Sequence, residues 1–199
     1  MERKHLVVFM AMALLVASGL LYSQSSRAAG ADTTTNPVHL WDSFPTTIGA
    51  QVPDASATFV RTDDGVTIVV HTFDLAPGAW TNWIFVFNDP SKCAGDPCRI
   101  PQDIGPANGA VLFGTGHVVN GGAANFASHI RVGDTTGQIG GPGNGLEDAR
   151  GAELLVDIRH HGPVVPGLVN EQLSMVNGGC DELLGPNVCT NVQLSVDQP

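Results

Sequence analysis

Basic residues are scarce in this chain: nine Lys and Arg stand against nineteen Asp and Glu, a formal net charge of −10. Nucleic acids and anionic lipid surfaces are bound through clustered Lys and Arg, so neither is expected as a partner. Catalytic motifs are lacking as well. There is no G-x-S-x-G nucleophile elbow, no H-E-x-x-H helix, no P-loop, no EF-hand loop and no G-x-G-x-x-G. Ser128 and His129 are neighbours, but on a strand they point to opposite faces and make no dyad. Apart from one run near the start, no apolar segment approaches the length that spans a bilayer. No cysteine follows that run, which argues against a lipid anchor, and no internal repeat of constant period is visible.

The early run points to a compartment. Glu2-Arg3-Lys4 precede an apolar stretch over 6–21, which gives way to the small and polar SQSSRAAGA. That is the layout of a secretory signal peptide, and the run is too short and wrongly flanked for a membrane span. Ala29-Gly30-Ala31 fits the small-x-small cleavage pattern, so residues 1–31 are expected to be removed. The mature chain, from Asp32, then carries eighteen acidic and six basic residues. A secreted or periplasmic protein is expected, with no membrane association after cleavage.

What remains suits one domain with a real core. Its Gly and Pro residues, 24 and 13 in the whole chain, punctuate apolar runs at short intervals, as a many-stranded β-protein requires. Strands are predicted over 57–62, 66–75, 79–88, 110–120, 124–132, 152–160 and 190–196, with Asp63-Asp64-Gly65 as a hairpin turn between the first two. Within 79–88, Thr81, Trp83, Phe85 and Phe87 fall on one face and Trp80, Asn82, Ile84 and Val86 on the other. Both faces are largely apolar, so this strand belongs in the interior of its sheet. A short helix is predicted within 163–177, stopped by Gly178-Gly179.

The fold expected is therefore an all-β, antiparallel β-sandwich of about seven strands with one short helix, a β-barrel being the alternative. Residues 1–31 are read as signal peptide, 32–54 as a polar, proline-punctuated N-terminal arm, and 55–199 as a single β-sandwich domain. The glycine-rich stretch 133–151 is a long loop, either functional or a mobile connector.

Four cysteines form two close pairs, Cys93/Cys98 and Cys180/Cys189. Three pairings are possible; export favours the two local disulfides over four thiolates on zinc. Six histidines remain in the mature chain. His71, His117, His129 and His161 come from separate strands or strand ends, and are the candidate ligands of one metal ion, copper or zinc, since imidazole suits both. Alternation puts His71 and His117 on apolar-rich faces, where an unpaired polar ring is costly. His161 follows the last predicted strand residue and precedes Gly162-Pro163, from where it can turn to one end of the fold. His129 shares its face with Asn125 and Arg131. The competing reading is four separate histidines, each hydrogen-bonded in its own place. Trp80 and Trp83 face opposite ways and are read as core anchors rather than as a sugar-stacking pair.

The segments His71-Thr72-Phe73, WIFVFNDPSKC from Trp83 to Cys93, Gly116-His117-Val118-Val119, Phe126-Ala127-Ser128-His129-Ile130, His161-Gly162-Pro163 and Asn177-Gly178-Gly179-Cys180 together resemble a group of uncharacterised secreted bacterial all-β proteins, over most of 66–192. The resemblance implies an exported β domain and carries no activity with it. Glycine-rich strands bearing histidines are also similar in architecture to CHRD-type domains and the copper-zinc superoxide dismutase sandwich, although the H-x-H strand of both patterns is missing here. The function expected is a secreted binding module for a small ligand, an extracellular glycan or a metal ion held by histidines. A metal-dependent extracellular enzyme and a ligand-free structural or adhesion domain are the alternatives.

Overall fold

The computed structural model describes residues 30–42, 44–181 and 185–199; all but the last two residues of the expected signal peptide lie outside them. Nine strands follow in order: β1 (Asp32–Leu40), β2 (Gln51–Arg61), β3 (Gly65–Leu75), β4 (Gly78–Phe87), β5 (Gly109–Val119), β6 (Gly122–Arg131), β7 (Gln138–Gly140), β8 (Glu153–His160) and β9 (Thr190–Asp197). They join into one sheet of order β6-β3-β2-β1-β9-β8-β4-β5-β7, and every neighbouring pair is antiparallel. The all-β expectation holds, and each of the seven predicted strands is present.

The sheet curls. β5 and β6 stand near opposite ends of the strand order, yet a short turn joins them and the His117 ring on β5 meets the Phe126 ring on β6 at 5.4 Å. Its inner face closes on one core, in which Phe59 of β2, Ile68 of β3, Trp80 and Ile84 of β4, Phe126 of β6 and Val156 of β8 are all shielded from water. At about 1.5–3 kcal/mol for each large apolar side chain, this burial is the main force closing the curl.

β4 accounts for its own position. Its inner residues Trp80, Ile84 and Val86 join that core, while on the outer face Phe87 packs with Leu155 and Leu194 under Trp41, Phe44, Ile100 and Ile104. Covered on both sides, it runs between β8 and β5.

The stretch read as an N-terminal arm is corrected by the pairing: β1 lies inside the sheet, between β2 and β9, and Ala31–Pro199 form one compact unit. The sequence DTTTNPVHL hid this because its inward polar residues are satisfied by a partner far along the chain. Thr34 Oγ1 and Asn36 Nδ2 donate to Asp197 Oδ1 at 2.5 and 2.8 Å, and only Val38 is an apolar core residue. The predicted helix shrinks to one turn, α1 (Val169–Gln172). The stretch 133–151, read as a long loop, contains the short strand β7, which pairs with β5, and is held by side chains: Asn88 bonds the carbonyls of Asn108 and Gly145, and Gln138 bonds Gly143 and Gly145.

Among the described residues no helix is long and apolar enough to cross a membrane. Both cysteine pairs lie at disulfide distance as predicted, Cys93 with Cys98 and Cys180 with Cys189, their Cα atoms 5.2 and 5.7 Å apart. These features are compatible with an extracellular or periplasmic protein.

Candidate functional site

The outer face of the sheet has two halves. Over β9, β8 and β4 it is covered by the loops described above and, towards the end of β8, by the segment around α1. Over β1, β2, β3 and β6 the outward side chains are exposed or half-exposed among the described residues. The register there aligns Thr33, Val60, Thr67 and His129 in one row across the strands, Thr35, Thr58, Val69 and Ala127 in the next, and Pro37, Ser56, His71 and Asn125 in a third. Each of these side chains is exposed or half-exposed and none carries a formal charge. Strand geometry makes the grid about 14 Å along the strands and about 14 Å across them.

Local bonds hold the polar groups of this face in place. His71 Nδ1 donates to Asn125 Oδ1 at 2.5 Å, and His129 Nδ1 pairs with Thr67 Oγ1 at 2.9 Å; both leave Nε2 to a ligand. Thr35 and Thr58 bond each other at 3.2 Å. Beyond His129 the face runs into a groove of about 700 Å³ that includes Asp64 and Arg131.

His71 thus sits on the solvent side. The run Val66-Thr67-Ile68-Val69-Val70 is apolar enough on both faces for alternation to point either way, and the core takes Val66, Ile68 and Val70 while Val69 stays 41% exposed. His117 does lie on the inner side, opposite Trp80, because β5 bulges between its Phe113 and Thr115 pairings. Its ring is nevertheless exposed at the end of the curl. His129 points away from the core, as its strand pattern implied.

His161 is elsewhere and fully buried. Its Nδ1 donates to the Gly178 carbonyl at 3.0 Å, so Nε2 is the acceptor of the Thr81 hydroxyl at 2.8 Å; Thr81 Oγ1 in turn accepts from Trp83 Nε1 at 2.8 Å. Burial pushes the imidazole pKa down to about 4, which keeps the ring neutral. The four histidines are not gathered into one cluster. Among the described residues, the one group of three or more His, Cys, Asp or Glu whose ligand atoms all lie within 4.8 Å is His161, Cys180 and Cys189. With both sulfurs in a disulfide this group has no thiolate to offer.

Two features of the interior had no signal in the sequence. Asp157 is buried on the outer face of β8, in register with Trp83 and Leu194, and its Oδ1 has no hydrogen-bond partner. Burial holds its carboxyl well above the usual range. The Trp80 indole stacks on His160 at 4.3 Å, and burial lowers the pKa of that imidazole. Both tryptophans are core residues, each 1% exposed, as expected.

A second groove, of about 460 Å³, separates β1 from the Cys93–Cys98 loop. Its polar groups are already engaged: Thr34 and Asn36 with Asp197, His39 with Gly49, Asp96 with Gln198. No protein-family model matches the chain, and neither the curated proteins nor the solved structures searched include a match.

Proposed function

We propose that this protein is an extracellular binding module, and that its ligand is an uncharged, hydroxyl-rich polymer of the polysaccharide class lying on the outer face of β1, β2, β3 and β6. One observation carries the reading: among the described residues, the outer face of β1, β2, β3 and β6 is a grid of exposed and half-exposed Thr, Ser, Asn, His, Val, Ala and Pro, without formal charge, in a strongly acidic chain. Methyl groups of Thr, Val and Ala suit the apolar faces of sugar rings. Hydroxyl, amide and imidazole groups suit their hydroxyls. The grid covers on the order of 200–300 Å², well short of the ~800 Å² per partner of a stable protein complex, and fits a weak contact repeated along a polymer.

Binding to a panel of neutral and anionic polysaccharides tests it. Neutral polymers are expected to retain the protein, and Val69→Asp or Thr58→Asp to abolish retention with little change in stability, as is usual for exposed positions. Failure to bind any neutral polymer, or binding untouched by both substitutions, overturns the reading.

A further inference from the structure

We propose that His161, Cys180 and Cys189 form a redox-gated metal site. The disulfide form excludes metal; the dithiol form holds one Zn²⁺ or Cu⁺ on His161 Nδ1 and the two thiolates.

The geometry is already assembled. Cys189 Sγ lies 3.6 Å from His161 Nδ1, Cys180 Sγ lies 3.7 Å from the same Gly178 carbonyl that Nδ1 bonds, and all three ligand atoms fall within 4.8 Å of one another. One nitrogen and two sulfurs match the donor preferences of both ions, and three protein ligands leave one position open on a tetrahedral metal.

Bonds other than the disulfide hold His161 and Cys180, and Cys189 directly precedes β9, whose Thr190 pairs with His160 on β8. The His161 carbonyl accepts from Gln172 Nε2 and Asn187 Nδ2, and both amides also reach the Pro163 carbonyl. Cys180 is held from its own side: its carbonyl accepts from Gly185 N at 2.8 Å, Asp181 N donates to Asn187 O at 2.8 Å and Asn187 N to Gly179 O at 3.1 Å. Opening the disulfide therefore leaves the three residues facing one another, as a preorganised site requires. The far side of the ring is equally prepared. When Nδ1 turns from donor to ligand, the ring proton moves to Nε2, where Thr81 Oγ1 is within 2.8 Å to accept it; metal-bound imidazoles are oriented by such a partner.

The chemistry balances with a dithiol as reductant. Two electrons and two protons pass from it to the Cys180–Cys189 bond, giving two thiols and an oxidised reductant. Metal binding then releases the two thiol protons.

The test uses the full mature chain, reduced with a water-soluble phosphine and given Zn²⁺ alone. One Zn²⁺ per chain is expected to survive desalting, and alkylation of Cys180 and Cys189 to slow by about 10-fold or more, the protection expected of metal-bound thiolates, with Cys93 and Cys98 unaffected. Thr81→Val should weaken zinc binding by about 10-fold, whereas Thr81→Ser, which keeps the hydroxyl, should bind zinc as the wild type does. Replacing His161 risks the fold, so circular dichroism of the reduced wild type with and without Zn²⁺ accompanies these measurements. No retained zinc, equal protection of both cysteine pairs, or loss of the native spectrum on reduction even with Zn²⁺ present each overturn the proposal.

Discussion

Arg61 donates Nε to Asp197 Oδ2 at 2.7 Å inside the curl, with both side chains almost wholly withdrawn from water. Nη1 reaches the carbonyls of Ala149 and Ala152, Nη2 reaches Asp197 Oδ2 and its main-chain oxygen, and Asp197 Oδ1 takes Thr34 and Asn36. Removing one partner strands a buried charge, so Asp197→Ala should cost about 3–5 kcal/mol in urea unfolding. Arg61→Lys should fare little better, because an ammonium cannot reproduce the guanidinium fork. The paired change Arg61→Met with Asp197→Leu should recover most of the loss; a double variant no more stable than the single ones would contradict this account.

Thr81 serves Trp83 and His161 at once. Thr81→Val keeps its shape and orphans two buried polar atoms, for a loss of about 1–3 kcal/mol. Thr81→Ser keeps the hydroxyl and should retain most of the stability, which thermal unfolding of the two variants side by side would check.

Asp157 gives stability a particular pH dependence. Its folded pKa lies well above the value of about 3.9 expected of an unfolded aspartate, so the folded state holds a proton that the unfolded chain releases. That contribution is complete below the unfolded pKa and is lost as pH rises through the folded one. Relative to wild type, Asp157→Asn should therefore gain stability from about pH 4 upward, by at most ~1.4 kcal/mol per pH unit. Urea midpoints across that range would measure the difference, and parallel profiles for the two proteins would exclude this role for the carboxyl.

Gly116 sits beneath the segment that carries α1, where an added Cβ would overlap the Leu173 carbonyl. Gly116→Ala should push that segment outward and disturb the bond from Arg159 to the Val176 carbonyl, at a cost of about 1–3 kcal/mol. Gly122, with nothing near its Cβ position, is unsuitable as a control because its φ of 84° penalises alanine by itself. Gly105 has open space and no such constraint, and Gly105→Ala should change stability little.

Strands were legible wherever apolar residues recur between turn signals, as in Trp80–Phe87. β1 was not, because Thr34 and Asn36 owe their burial-side role to Asp197, over 160 residues away, and periodicity registers hydrophobicity rather than a distant partner. For His71 the sequence left both faces apolar, and only competition for the core decides which faces water. The sequence left three cysteine pairings open and favoured the two local ones on the ground of export, and those are the pairs found at disulfide distance. The meeting of His161 with Cys180 and Cys189 was not, since it depends on how the stretch after β8 folds back over Thr81.

β1 pairs with β9 through His39 opposite Leu194 and Leu40 opposite Gln193, so the first strand of the sheet meets its last one near the middle. The run β6-β3-β2-β1 and the run β8-β4-β5-β7 are joined in one sheet only through β9, so the last strand made is the one that connects the two. Contacts of such sequence separation place folding among the slow β topologies, on the order of milliseconds to seconds.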